Sequence, residues 1–306
     1  MKIGVAGAGA VGGYFGGVLA QAGNQVVFLA RGAHLEAMKA QGLRIESAKG
    51  EFTADGIFTN DIHSFKGLDL ILFCVKSTDT KSVAEQLKNI LDDSTRILVM
   101  QNGIDNEEIL SEMFGKERVL STATYLSASV KEPGIIHQFG EPRLPIGTLN
   151  RTADPFAKEV VAVFNHSGVK SWASDDIICT KWQKLLWNVT FNPLSAIVKA
   201  DVGQILDDPL LRRTAGSIQK EAFLVAKKKG IRIAPEILEQ IFMGAEKRAR
   251  NHKTSMLQDR LKGKRMEIES LCGYLVREGE RLRVETPVLQ AIYVILTFIE
   301  QQELNL

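Results

Sequence analysis

The sequence predicts an α/β protein whose front part is a doubly wound parallel sheet and whose rear part is all helix. Three observations predict it. Short β-branched apolar runs alternate with amphipathic stretches of helical period from Lys2 to about residue 150, the pattern of βαβ units. A glycine-rich turn joins the first apolar run to the first amphipathic one. Beyond Asp175 strand signals nearly vanish and the helical periods lengthen.

In chain order, strand candidates lie at residues 3–6, 26–30, 70–75, 97–100, 119–125, 135–139 and 144–148, with helix candidates between them at 12–22, 34–41, 80–90 and 106–114. A helix at 155–166 and a short strand at 169–172 complete the sheet. The rear part reads as helices over 176–200, 209–229, 235–250, 255–279 and 287–304. The boundary falls near 168–175, giving domains of residues 1–170 and 171–306. The basic runs 227–229 and 262–265 stand beside Gly230 and Gly263, where cations suit helix C-termini.

Composition narrows the class. A 45% hydrophobic share is ample for packed cores. With 38 basic and 36 acidic residues, the net charge of +2 gives no electrostatic footprint for nucleic acid or an anionic membrane, so any anion site is local. There is no run of 18 apolar residues to span a bilayer. The strand-like run and glycine turn that follow Met1 leave no room for a cleavable leader, so a cytoplasmic protein is expected. Cys74, Cys179 and Cys272 are far apart and read as reduced thiols. The five histidines, His34, His63, His137, His166 and His252, form no metal-binding spacing, and no metal is expected.

The turn itself is Gly7-Ala8-Gly9-Ala10-Val11-Gly12, a G-x-G-x-x-G that follows a strand directly and opens a helix, as a Rossmann-type dinucleotide fingerprint requires. Its three glycines suit a tight turn, a close approach of backbone to pyrophosphate, and close helix–strand contact. Free N–H groups at the helix start meet the negative charge. The second strand ends in Arg31 rather than in an acid. A carboxylate there would favour NAD, whereas a guanidinium can hold a 2′-phosphate, so NADP(H) is expected. The alternative is a surface arginine paired with Glu36. Lys76 and Asn102 follow later strand candidates at the edge where such folds bind ligands. By pattern alone each reads equally as a cap or turn residue.

In this order, residues 7–12, Leu29-Ala30-Arg31-Gly32, Val75-Lys76, Gln101-Asn102-Gly103, Lys184-x-x-x-Asn188-x-x-x-Asn192-Pro193-Leu194 and Ser255-Met256-Leu257-Gln258-Asp259 resemble the ketopantoate reductases (2-dehydropantoate 2-reductases). The resemblance spans nearly the whole chain, and its last two motifs are far more specific than the glycine loop. It implies NADPH-dependent reduction of 2-dehydropantoate to (R)-pantoate in pantothenate biosynthesis. It also implies a Rossmann domain, an all-helical second domain and an active site in the cleft between them, with homodimer formation a family-level expectation. By the same resemblance Arg31 matches the 2′-phosphate ligand, Lys76 a cofactor lysine and Asn102 an asparagine near nicotinamide and substrate. Lys184 matches the catalytic lysine, Asn188 and Asn192 the substrate-binding asparagines, and Ser255 a carboxylate-binding serine. Glu267 matches an acid near cofactor and lysine, and Glu221 matches a further active-site acid more weakly. One departure is His252, which stands where the family often has asparagine.

The residues are consistent with that chemistry. Lys184, Asn188 and Asn192 are four apart, so on a helix they share a stripe drifting about 40° per step over about 12 Å. Trp182, Leu185, Leu186, Trp187, Val189 and Phe191 surround the stripe with apolar surface, so it needs polar partners. Reducing a ketone takes a hydride to carbon and a proton to oxygen, and nicotinamide supplies only the hydride. Lys184 is the candidate general acid, and burial beside Trp187 and Phe191 would make it a readier donor. Ser255 with Gln258 three residues on also reads as a capping box. Two other functions stay open: an NADPH-dependent reductase of another small 2-oxo acid, and a non-catalytic NADPH sensor. A sensor needs only the glycine loop and Arg31, so the Lys184–Asn188–Asn192–Ser255 set argues against it.

Overall fold

A computed structural model describes residues 1–304. They form two compact units: Met1–Asn102 with Asn106–Ile178, and Gly103–Asp105 with the chain from Cys179 onward.

The first unit holds one sheet. Its strands are β1 (Lys2–Ala6), β2 (Gln25–Leu29), β3 (Leu43–Ser47), β4 (Gly50–Ala54), β5 (Ile57–Thr59), β6 (Leu70–Phe73), β7 (Arg96–Val99), β8 (Val119–Thr122), β9 (Tyr125–Glu132), β10 (Ile135–Thr148) and β11 (Lys170–Ala173). Between them lie α1 (Ala10–Gln21), α2 (Gly32–Gln41), α3 (Thr80–Lys88), α4 (Asp105–Phe114) and α5 (Pro155–His166). Six strands run parallel in the spatial order β5-β2-β1-β6-β7-β8. The order reverses at β1, the point at which open parallel sheets form a ligand crevice beyond their carboxyl ends.

Both faces of the parallel part of this sheet are covered, so its central strands β6 and β7 are nearly continuous apolar runs rather than alternating. Leu70 and Leu72 of β6 join a core with Phe15 and Leu19 of α1 and Val160 and Phe164 of α5. Ile71 and Phe73 join a second core with Ala84 and Leu87 of α3 and Leu110 and Phe114 of α4. The doubly wound sheet is therefore built as the alternation predicts, with additions. The two strand candidates at 135–139 and 144–148 are one strand, β10, which pairs in turn with β9, β3, β11 and β8. The hairpin β3–β4 extends the sheet beyond β10. Its signal was a short one, Leu43 and Ile45 buried against outward Arg44.

The second unit is helical: α6 (Ile177–Val198), α7 (Val202–Asp207), α8 (Pro209–Lys228), α9 (Ile237–Arg248), α10 (Ser255–Leu261), α11 (Tyr274–Leu282) and α12 (Pro287–Leu304). The expected single helix over 255–279 is instead α10, a turn through the basic run, a π-helical turn at Glu269–Gly273 and α11. Helix α6 is buried on most of its surface through Trp182, Leu185, Leu186, Val189, Phe191 and Leu194. Arg260 of α10 donates to the carbonyls of Ala196 and Ile197 at the end of α6 and pairs with Glu303 of α12. That clamp satisfies orphan carbonyls of α6 and fixes α10 against it. No helix of the described residues is long and apolar enough to cross a membrane.

Candidate active site

In the first unit, the loop from β1 to α1 occupies the crevice edge. Gly7 adopts φ +98°, and a Cβ there would lie 2.8 Å from the Val75 backbone nitrogen. A Cβ on Gly12 would lie 2.2 Å from the Gly7 carbonyl oxygen, so only glycine lets α1 start this close to β1. Gly9 meets nothing within 4 Å, which leaves open backbone for a ligand to approach. Gly9 is also the N-cap of α1 with no side-chain capping bond, so N–H groups of the first turn are available to an anion. The residues thus fit a dinucleotide pyrophosphate along residues 7–12, with Ala8, Ala10 and Val11 contributing backbone.

His34 of α2 braces this loop, a role that no spacing in the sequence signalled. Its Nδ1 lies 2.9 Å from the Gly134 nitrogen and its Nε2 lies 2.9 Å from the Ala8 carbonyl oxygen. A backbone N–H only donates, so Nδ1 accepts and Nε2 carries the proton given to Ala8. Arg31, at the N-cap of α2, is 89% exposed, and its Nη2 lies 3.2 Å from Asp79 Oδ2. The expected alternative pairing with Glu36 does not occur, because Glu36 pairs with Lys39 one turn on.

Lys76 caps the short turn after β6 and is exposed. Asn102 follows β7 and is held by a buried amide network. Gln101 Nε2 donates to the Val75 carbonyl at 2.9 Å and to Thr80 Oγ1 at 2.7 Å. Thr80 Oγ1 donates to Asn106 Oδ1, whose Nδ2 donates to the Asn102 carbonyl at 3.0 Å. Neighbouring strands therefore bring the glycine loop, Lys76 and Asn102 to one edge of the sheet.

In the second unit, α6 carries the polar stripe. Thr190 and Ser195 are spent on carbonyls of their own chain, Leu186 and Ala200. Asn188 is buried and makes no side-chain hydrogen bond among the described residues. Asn192 Nδ2 lies 3.5 Å from Ser255 Oγ, so the structure brings these two together at the limit of a hydrogen bond. Lys184 is half-buried. Its burial, and the Lys181 ammonium one turn earlier, bring its ammonium down from the usual lysine range to about 7, while the Glu267 carboxylate acts in the opposite direction. Lys181 is itself only 4% exposed, and sequence reasoning missed it although the i, i+3 spacing was visible.

Ser255 is not the cap of α10. Thr254 is, with Oγ1 accepting from Leu257 N at 3.2 Å, while Gln258 donates to the Lys253 carbonyl. The capping-box reading of Ser255 is therefore corrected, and the Ser255 hydroxyl, at the first helical position, stays exposed. Glu221 accepts from Val288 N and Leu289 N and so caps α12. His252 is kept toward its neutral form by burial, and its carbonyl accepts from Val202 N. Burial pushes the Cys74 and Cys272 thiols up, away from reactive thiolate. No His, Cys, Asp and Glu group among the described residues could hold a metal ion.

Comparison with known proteins covers both units. The family model for ketopantoate reductase PanE/ApbA matches residues 3–151, and that for the C-terminal part of the same family matches residues 176–300. A 2-dehydropantoate 2-reductase of Pyrococcus horikoshii is 34% identical over 94% of both chains. The crystal structure of a PanE/ApbA family ketopantoate reductase from Ralstonia eutropha JMP134 is 32% identical, with a TM-score of 0.93 over 99% of each chain. The ternary structure of D-mandelate dehydrogenase with NADH and anilino(oxo)acetate is 25% identical, with a TM-score of 0.92 over the full length of both. With both family models matched in sequence order and relatives aligned nearly end to end, the chain belongs to the ketopantoate reductase family.

Proposed function

We propose that this protein is an oxidoreductase that uses NADPH to reduce 2-dehydropantoate to (R)-pantoate, in pantothenate formation, with Lys184 as proton donor. The observation that carries the reading is a lysine with proton affinity near neutrality on one helical stripe with Asn188 and Asn192. Burial lowers any lysine in this way; on a stripe with two asparagine amides the lowered value suits a general acid, which works best with a pKa near the operating pH.

The glycine loop and the free N–H groups of α1 would hold the pyrophosphate, and Arg31 would hold the 2′-phosphate. Lys76 and Asn102 complete the cofactor site from the next strand ends. Bound NADPH supplies the hydride to the ketone carbon. What the chain supplies is a proton at the ketone oxygen and a grip on the rest of the acid. Lys184 Nζ hydrogen-bonds that oxygen, opposes the charge that grows on it and releases its proton to it. Asn188, buried with its amide unspent, bonds the substrate. The weakly bonded Asn192 and Ser255 turn toward the substrate hydroxyl or carboxylate. Glu267 opposes the effect of burial and so keeps Lys184 protonated often enough to act.

A second reading, reduction of a different 2-oxo acid, is favoured by the likeness to D-mandelate dehydrogenase at full length. Initial rates with 2-dehydropantoate and with the 2-oxo acid corresponding to mandelate, each with NADPH and NADH, separate the two. The proposal expects 2-dehydropantoate with NADPH to be fastest. Faster turnover of the aromatic acid would move the assignment to the second reading.

A further inference from the structure

Arg31 reaches from the end of β2 to Asp79, in the turn after β6. Strands β2 and β6 flank β1 on opposite sides, so this ion pair runs from one flank of β1 to the other, at the edge where the glycine loop leaves the sheet. Asp79 is the one acid paired with Arg31 among the described residues. Both side chains are open to solvent, at 89% and 39% exposure, so each is free to exchange partners. We propose that Asp79 is a specificity-determining residue that competes with the cofactor 2′-phosphate for Arg31 and so moderates the preference for NADPH over NADH.

The inference rests on the reading of Arg31 as the 2′-phosphate ligand. A carboxylate 3.2 Å from a guanidinium nitrogen stands within a few ångströms of any other anion that guanidinium holds. A phosphate monoester carries nearly two negative charges at neutral pH. NADPH must therefore either displace Asp79 from Arg31 or share the guanidinium with it, and in both cases it remains beside a like charge. NADH has no 2′-phosphate and leaves the Arg31–Asp79 pair intact. The acid thus weakens NADPH selectively, and the free protein keeps Arg31 occupied until the phosphate arrives.

The test is titration of NADPH and of NADH into the full-length wild type and the variants Asp79→Asn, Asp79→Glu and Arg31→Ala, at low and at moderate salt. Asp79→Asn should tighten NADPH by about two- to fivefold, the range expected from losing an exposed ion pair. NADH should change by less than about twofold, and Asp79→Glu should behave as the wild type. The gain should shrink as salt screens the charges. Unchanged or weaker NADPH binding by Asp79→Asn, with Arg31→Ala still abolishing the preference for NADPH, would overturn the competition and make Asp79 a residue that orients Arg31. If Arg31→Ala leaves the NADPH-to-NADH ratio unchanged, the reading of Arg31 itself fails and the inference falls with it.

Discussion

Thr254 and Ser255 are adjacent hydroxyls with different work. Thr254 closes the first turn of α10, and its replacement by alanine should cost about 1 kcal/mol of stability in denaturant unfolding with little change in KM. Ser255 caps nothing and faces Asn192. Ser255→Ala should leave stability within about 0.5 kcal/mol and raise KM for the 2-oxo acid about tenfold, the worth of one hydrogen bond to a charged group. The reverse outcome would return Ser255 to a structural role. At this scale the sequence revealed residues whose meaning lies in local spacing. The lysine–asparagine stripe needs only a helical period, and Arg31 needs only its place after the second strand. His34 and Asp79 were not legible, because each acts on a partner far along the chain: Gly134 is 100 residues from His34, and Arg31 is 48 residues from Asp79. The identity of the α10 cap depended on a one-residue difference that pattern alone does not fix.

Helix α6 carries Lys184, Asn188 and Asn192 at a spacing of four. Lys181 and Lys184 are one turn apart, and both are withdrawn from water, where like charges repel more strongly than at the surface. The charged groups that act on Lys184 are Lys181 on its own helix and Glu267 from the segment after α10. With Lys184 as the proposed proton donor, reduction needs its charged form, which is lost as pH rises through about 7, so the rate of reduction should fall above that pH. Removing the neighbouring cation favours the charged form. Lys181→Met should therefore move the falling limb of the kcat/KM profile upward by about one unit, and Lys181→Arg should leave it in place. A limb that stays put in the methionine variant would assign Lys181 to packing alone. Among the elements, those with strong apolar periods were predicted within a residue or two, as for α8, α12 and the central strands. Those missed were short or broken. The six residues of α7 are too few to display a period, and the helix expected over 255–279 breaks at the basic run and resumes through a π-helical turn.

Over the whole chain, the glycine loop and Arg31 fall in one compact unit and the lysine stripe in the other. Strand signals stop where long helical periods begin, near residue 175, and the units divide between Ile178 and Cys179. The segment Gly103–Asp105 was not legible, since it belongs by sequence to the sheet and by contact to the helices, where Asp105 accepts from Ser270 at 3.0 Å. Cofactor binding should show as thermal stabilisation, about 2.7 kcal/mol at a hundredfold excess over Kd. NADPH should raise Tm more than NADH at equal concentration, and Arg31→Ala should remove the difference. The most direct test of the account is NADPH oxidation with 2-dehydropantoate by the wild type and by Lys184→Ala, with NADPH binding measured on both. The wild type should turn over, and the variant should bind NADPH normally but turn over about 10²- to 10⁴-fold more slowly, the span of one general acid. A variant within a few-fold of the wild type, or a wild type that binds NADPH and leaves the acid unreduced, would contradict it.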